Sequence, residues 1–134
     1  MFSKRMLDKE KNKKIENIKD YDKSDSVNSF IINGKSAWLD KATRVGLVNS
    51  LNMEKAAGRE MSVLYLNGEK IDISIDEALN MLVVLELYAK ECYVVTERHI
   101  ANIREMNDMG KIHNYRYDIG YPQRLIFCIR KKLD

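Results

Sequence analysis

This chain has very little of what usually staples, breaks or buries a polypeptide: two cysteines, one proline and one tryptophan among 134 residues. Cys92 and Cys128 are too few for a disulfide framework, and without paired CxxC units they do not form a structural zinc site. Reduced thiols are expected. No stretch approaches the roughly 18 consecutive apolar residues of a membrane-spanning helix. The opening segment "MFSKRMLDKEKNKKIENIKDYDK" is charged from its fourth residue and lacks the apolar core of a secretory signal. Secretion by that route and membrane insertion are therefore not expected. Also missing are GxGxxG, GxxxxGK[ST], HExxH, GxSxG and an EF-hand loop, so no nucleotide, phosphate, zinc-protease, hydrolase or calcium signature is present. No cofactor and no small-molecule substrate are expected.

What remains is an ordinary globular composition, 45% hydrophobic and 32% charged, in a length that buries a core without clips. The net charge of +3 has a definite location. Residues 1–23 hold eight Lys or Arg and five Asp or Glu, leaving fifteen of each sign in residues 24–134. The excess sits in an N-terminal arm, residues 1–27, followed by a single domain over residues 28–134. The arm has few apolar positions (Met6, Leu7, Ile15, Ile18), too few to order it alone, and a partner chain is the simplest expected support. Its mixed charge fits a solvated helix or extended tail better than a grip on phosphates, which needs a denser basic patch.

"SFIINGKSAWL" and "SVLYLNGEKIDIS" each place Asn-Gly between apolar runs, the pattern of a two-residue hairpin. Pairing across Asn67 and Gly68 sets Leu66 against Glu69 and Leu64 against Ile71. Leu64, Leu66, Ile71 and Ile73 then share the buried face. Between the hairpins, Asp40 or Thr43 starts a helix of about four turns that Gly58 ends, with Val45, Val48, Leu51 and Ala56 as its packing stripe. Gly46, inside that helix, points to close packing. Ser74 and Glu77 have capping-box spacing, and no Gly or Pro follows until Gly110, so one helix of roughly 30 residues is predicted. Its first half is apolar almost all round and is expected to be buried. The end of the chain reads as two extended segments around a turn at Gly120 and Pro122, with Leu125, Phe127 and Ile129 facing one way. The predicted fold is α+β: two β-hairpins and a C-terminal β segment packed on one medium and one long α-helix.

The stretch "ECYVVTERH" on the long helix invites a catalytic or metal-binding reading. Positions 78, 82, 85, 89, 92, 96, 99, 103 and 106 alternate spacings of four and three, so Cys92, Thr96 and His99 share a seam with the leucines. Cys92 and His99 lie two turns apart, about 10 Å along the axis, too far to share one ion or to act as a thiolate-imidazole pair. The seam reads as a packing surface, against another helix or another chain. Trp38, Tyr115, Tyr117 and Tyr121, in or beside hairpins and turns, are candidate interface anchors, and Cys92 and His99 join them as candidate interface residues.

Three segments, "AWLDKATRVGLVNSLNMEKAAGRE", "ELYAKECYVVTERHIANI" and "YDIGYP", together resemble a family of uncharacterised bacteriophage domains in tail- and tail-fibre-associated virion proteins, frequent in phages of gut bacteria. The resemblance covers about residues 28–127. It implies a small α+β domain in a non-enzymatic virion protein. The protein would serve as a tail-fibre adaptor or attachment component, made in the host cytoplasm, with other phage structural proteins or further copies of itself as partners. A transient fibre-assembly chaperone is the alternative, and a nucleic-acid binder acting through the arm is a further one.

Overall fold

The structure is a computed structural model, and it describes residues 3–129. The chain is α+β and sorts into two compact units, each assembled from separate stretches of sequence. Of the described residues, the first comprises 3–28 and 89–123; the second comprises 29–88 and 124–129. Residues 89–123 group with the N-terminal segment and the hairpins group together in the other unit.

In the first unit, helix α1 (Lys4–Asp22) starts at Ser3, whose hydroxyl accepts from the Met6 amide at 3.2 Å. The arm orders on its own chain. Ile15 and Ile18 pack with Ile100 and Ile103 of helix α4 (Ile75–Glu105), and Ile18 and Ile103 are fully buried. Two arm lysines help in a different way. Lys11 donates to the Arg104 carbonyl (2.8 Å), and Lys14 to the His113 carbonyl (2.9 Å) at the end of helix α5 (Met109–His113). Both carbonyls lie at helix C-termini, where unpaired oxygens and the negative end of the dipole favour a cation. The short helix α2 (Asp25–Asn28) completes this unit and buries Val27.

The second unit carries the hairpins. Strands β1 (Phe30–Ile32) and β2 (Lys35–Ala37) meet across Asn33 and Gly34, both at positive φ (49° and 80°), as a type I′ turn requires. Helix α3 (Lys41–Ala56) is capped by Asp40, which accepts from the Thr43 amide at 2.7 Å. Strands β3 (Met61–Leu66) and β4 (Glu69–Ser74) pair in the predicted register, Leu66 with Glu69 and Leu64 with Ile71. Their inner face is buried among Leu51 of α3 and Ala78, Met81, Leu82 and Leu85 of α4. Ser74 caps α4 through the Glu77 amide, and the helix runs for 31 residues.

Several expectations differ from the structure. Residues 114–125 form no strand; only β5 (Ile126–Phe127) is extended, and it pairs parallel to β1 rather than folding back on its own neighbour. The alternation beyond it holds, with Leu125, Phe127 and Ile129 packed inward and Ile126 and Cys128 exposed. The first half of α4 is not buried all round, since Val83 and Leu87 are 55% and 64% exposed. A helix lying on one small sheet has a solvent side whatever its sequence. For the same reason Val45 and Ala56 of α3 are exposed, and Leu47, Val48 and Leu51 make its packing stripe. Gly46 has open space where a Cβ would stand, so close packing does not explain it. Gly110 lies within α5, behind the Asp108 cap, rather than at the end of α4.

Candidate functional site

The seam of α4 buries two polar side chains, Thr96 and His99, besides a thiol. Ala78, Leu82, Leu85, Cys92, Thr96, His99 and Ile103 are all buried, as the four-three spacing predicts. In the first unit its polar members each meet a partner. His99 lies between the Tyr115 hydroxyl at Nδ1 (2.5 Å) and the Ile119 carbonyl at Nε2 (2.8 Å). A carbonyl only accepts, so Nε2 carries the hydrogen, and in the neutral ring Nδ1 accepts from the tyrosine. Tyr115 in turn accepts from the side-chain amide of Asn102, at 3.1 Å. The donor order is therefore Asn102 to Tyr115 to His99 to the Ile119 carbonyl.

A second chain lies one turn earlier. Thr96 donates to Asp22 Oδ1 at 2.8 Å, and its oxygen is 2.6 Å from the Tyr121 hydroxyl. Because the carboxylate takes the threonine hydrogen, Tyr121 is the donor to Thr96. Burial pushes the Tyr121 phenol above its ordinary pKa, and the nearby Asp22 charge acts in the same direction. Cys92, a turn earlier again, lies 4.0 Å from the Val27 carbonyl, a weak thiol contact. The aromatic rings stack round these bonds: Tyr21 meets Tyr117 and Tyr121 (5.8 and 5.6 Å between centroids), and His99 meets Tyr115 and Tyr121 (5.4 and 5.8 Å). Lys14 sits over the Tyr117 ring.

Five of the six candidate interface residues thus fall in one cluster. Cys92 and His99 are buried in it, and Tyr115, Tyr117 and Tyr121 are half-buried. Trp38 belongs to the second unit and is 60% exposed. Tyr21, Asp22 and Asn102 complete the cluster and were not picked out from sequence. Asn102 is one helical turn from His99 and was legible as its neighbour; nothing in the sequence ties Asp22 to Thr96, 74 positions away.

The cluster works as a clamp. It fastens residues 115–121 to the helix, and no buried side-chain polar atom among the described residues lacks a hydrogen-bond partner. Among the described residues no group of three or more His, Cys, Asp or Glu is placed to hold a metal ion, and no helix is long and apolar enough to cross a membrane.

Both units expose large apolar side chains, the first at Tyr93, Val94 and Ile119 and the second at several positions. Met61, Val63 and Tyr65 of β3 stand exposed on the outer face of the second hairpin. Between α3 and α4 a groove of about 370 Å³ is floored by Val45, Val48, Leu82 and Val83. At its edge Arg44 bonds Glu86 (2.9 Å) and the Leu39 carbonyl (2.6 Å). No protein-family model matches this chain, and neither a curated protein nor a solved structure matches it.

Proposed function

We propose that this chain is a non-enzymatic structural and interaction protein of a phage particle, associated with the tail or a fibre attachment point and acting through protein-protein contacts. The observation that carries the interaction half of this reading is the division of labour among side chains. Cys92, Thr96 and His99, the seam residues with reactive or ligand-forming groups, face backbone carbonyls, tyrosine hydroxyls and the Asp22 carboxylate inside the first unit. Trp38, Val63, Tyr65 and Leu87 are left exposed in the second. Large exposed apolar and aromatic residues are the usual anchors of protein interfaces. The virion half rests on the resemblance of the "AWLDKATRVGLVNSLNMEKAAGRE", "ELYAKECYVVTERHIANI" and "YDIGYP" segments to tail-associated phage domains.

Mass spectrometry of purified particles of a phage that encodes the chain tests the proposal. The expected result is the chain in stoichiometric amounts relative to the other tail proteins. A chain abundant in infected cells but absent from finished particles would overturn the structural assignment in favour of an assembly chaperone.

A further inference from the structure

The hairpin β3–β4 is a two-stranded sheet, and its two edges differ. In an antiparallel pair, alternate residues turn their main-chain N–H and C=O toward the partner and the others turn them away. The Ile75 amide donates to the Glu60 carbonyl and Leu66 closes the two-residue turn, so Glu60, Ser62, Leu64 and Leu66 face β4. Met61, Val63 and Tyr65 point their main-chain groups to the open edge, where these meet no partner among the described residues. The same three residues carry the exposed side chains, at 37%, 45% and 69%. The sequence of β3, "MSVLYL", has no charge, no proline and no glycine. Natural edge strands are usually blunted by such residues. The edge of β4 is blunted: Lys70 and Asp72 are its exposed residues.

We infer that the open edge of β3 is an interaction surface whose occupant is β3 of a second copy, added antiparallel about a twofold axis at Val63. The register follows from the sequence of the strand. With Val63 opposite its counterpart, Met61 falls opposite Tyr65 of the second copy. All three pairs are then of the kind that exchange two main-chain hydrogen bonds. On the outer face the medium valines meet at the axis, and on either side a methionine meets a tyrosine, a favourable sulfur–aromatic pairing. Both apolar rows merge into one, with Lys70 and Asp72 of each copy at its rim. The charges permit this. Asp72 and its counterpart are three strand spacings apart, about 14 Å, beyond the roughly 10 Å screening length at 0.1 M salt. A shift of two residues either way removes the valine pair from the axis and leaves an end residue unpaired. A heterologous strand also satisfies the main-chain groups, but nothing in the row selects one, whereas the row complements itself. This surface does not depend on the virion reading: a chain absent from particles still pairs, and a particle protein that does not pair leaves the virion reading intact.

Sedimentation equilibrium of the full chain over a range of concentrations tests the inference. The wild-type chain is expected to shift from 15.6 kDa to twice that mass as concentration rises. V63K places like charges directly opposite each other and should weaken association at least about a hundredfold. At concentrations low enough for wild type to be monomeric its urea midpoint should match wild type, because the side chain is exposed on the outer face. Independently of any loss of folding, V63C in a C128S background should oxidise to a covalent dimer much faster than D72C in the same background. A wild-type chain monomeric up to roughly 1 mM, association unchanged in V63K, or equal crosslinking at 63 and 72 would each overturn it.

Discussion

The Tyr121–Thr96–Asp22 chain predicts a non-additive response to two small substitutions. T96V keeps the shape of the side chain and removes only the hydroxyl, so packing is preserved and the change isolates hydrogen bonding. It leaves Asp22 without the donor at 2.8 Å and Tyr121 without the acceptor at 2.6 Å. A bond to a charged acceptor contributes about 1.5–3 kcal/mol and a neutral one about 0.5–1.5 kcal/mol. Asp22 and Tyr121 are only half-buried, and water recovers part of this, so the lower end is expected, about 2–3 kcal/mol in sum. Y121F removes the second bond alone, at about 1 kcal/mol. The double variant loses that shared bond once. Its cost should therefore fall short of the sum of the single costs by about 1 kcal/mol. Urea unfolding followed by circular dichroism reads all four proteins, with equal slopes required before the midpoints are compared. Costs that add to within about 0.3 kcal/mol would show that the Tyr121–Thr96 bond contributes nothing to stability.

Two further outcomes follow from the same unit. I18A deletes a side chain with no exposure from a cluster of four isoleucines, and should destabilise the chain by about 2–5 kcal/mol; exchange of α1 amides at the wild-type rate in this variant would contradict it. Tyr121 is held neutral in the fold, its pKa raised above the unfolded value. That contribution is complete below the unfolded tyrosine pKa, about 10, and is lost as pH rises through the folded value. Stability should therefore fall above that pH and fall less steeply in Y121F, as urea midpoints measured at neutral and alkaline pH will tell.

Local chemistry made the elements legible. Asn-Gly at 33–34 and 67–68 can adopt two consecutive positive φ angles with little strain, which dictated both turns and hence the register of both hairpins. Asp40 and Ser74 marked the helix starts because their side-chain oxygens satisfy amides that no helix can pair internally. The spacing of Ala, Leu, Cys, Thr, His and Ile along α4 predicted its buried seam, since a face that repeats every 3.6 residues must be covered by something. That reading also separated Glu91 and Glu97, which are exposed, from Cys92 and His99, which are buried.

What covered the seam was decided only in three dimensions. Asp22 reaches Thr96 across 74 positions, and Ile15 and Ile18 reach Ile100 and Ile103 across more than 80. Such pairings depend on which of several equally apolar or polar candidates the chain topology brings close, and no periodicity encodes the choice. The strand predicted around Tyr115 and Tyr117 failed for the same reason. Alternation licenses an extended strand, but a strand forms only where an edge is available, and these tyrosines are held instead by His99, Asn102, Tyr21 and Lys14. Local sequence set the two hairpin turns, the helix caps, the inner face of β3–β4 and the seam of α4, because those depend on neighbours a few residues away, whereas the expected stripe of α3 and the all-round burial of the first half of α4 did not hold. Tertiary structure alone decided the partner of each face, because burial is a property of what the rest of the chain leaves uncovered.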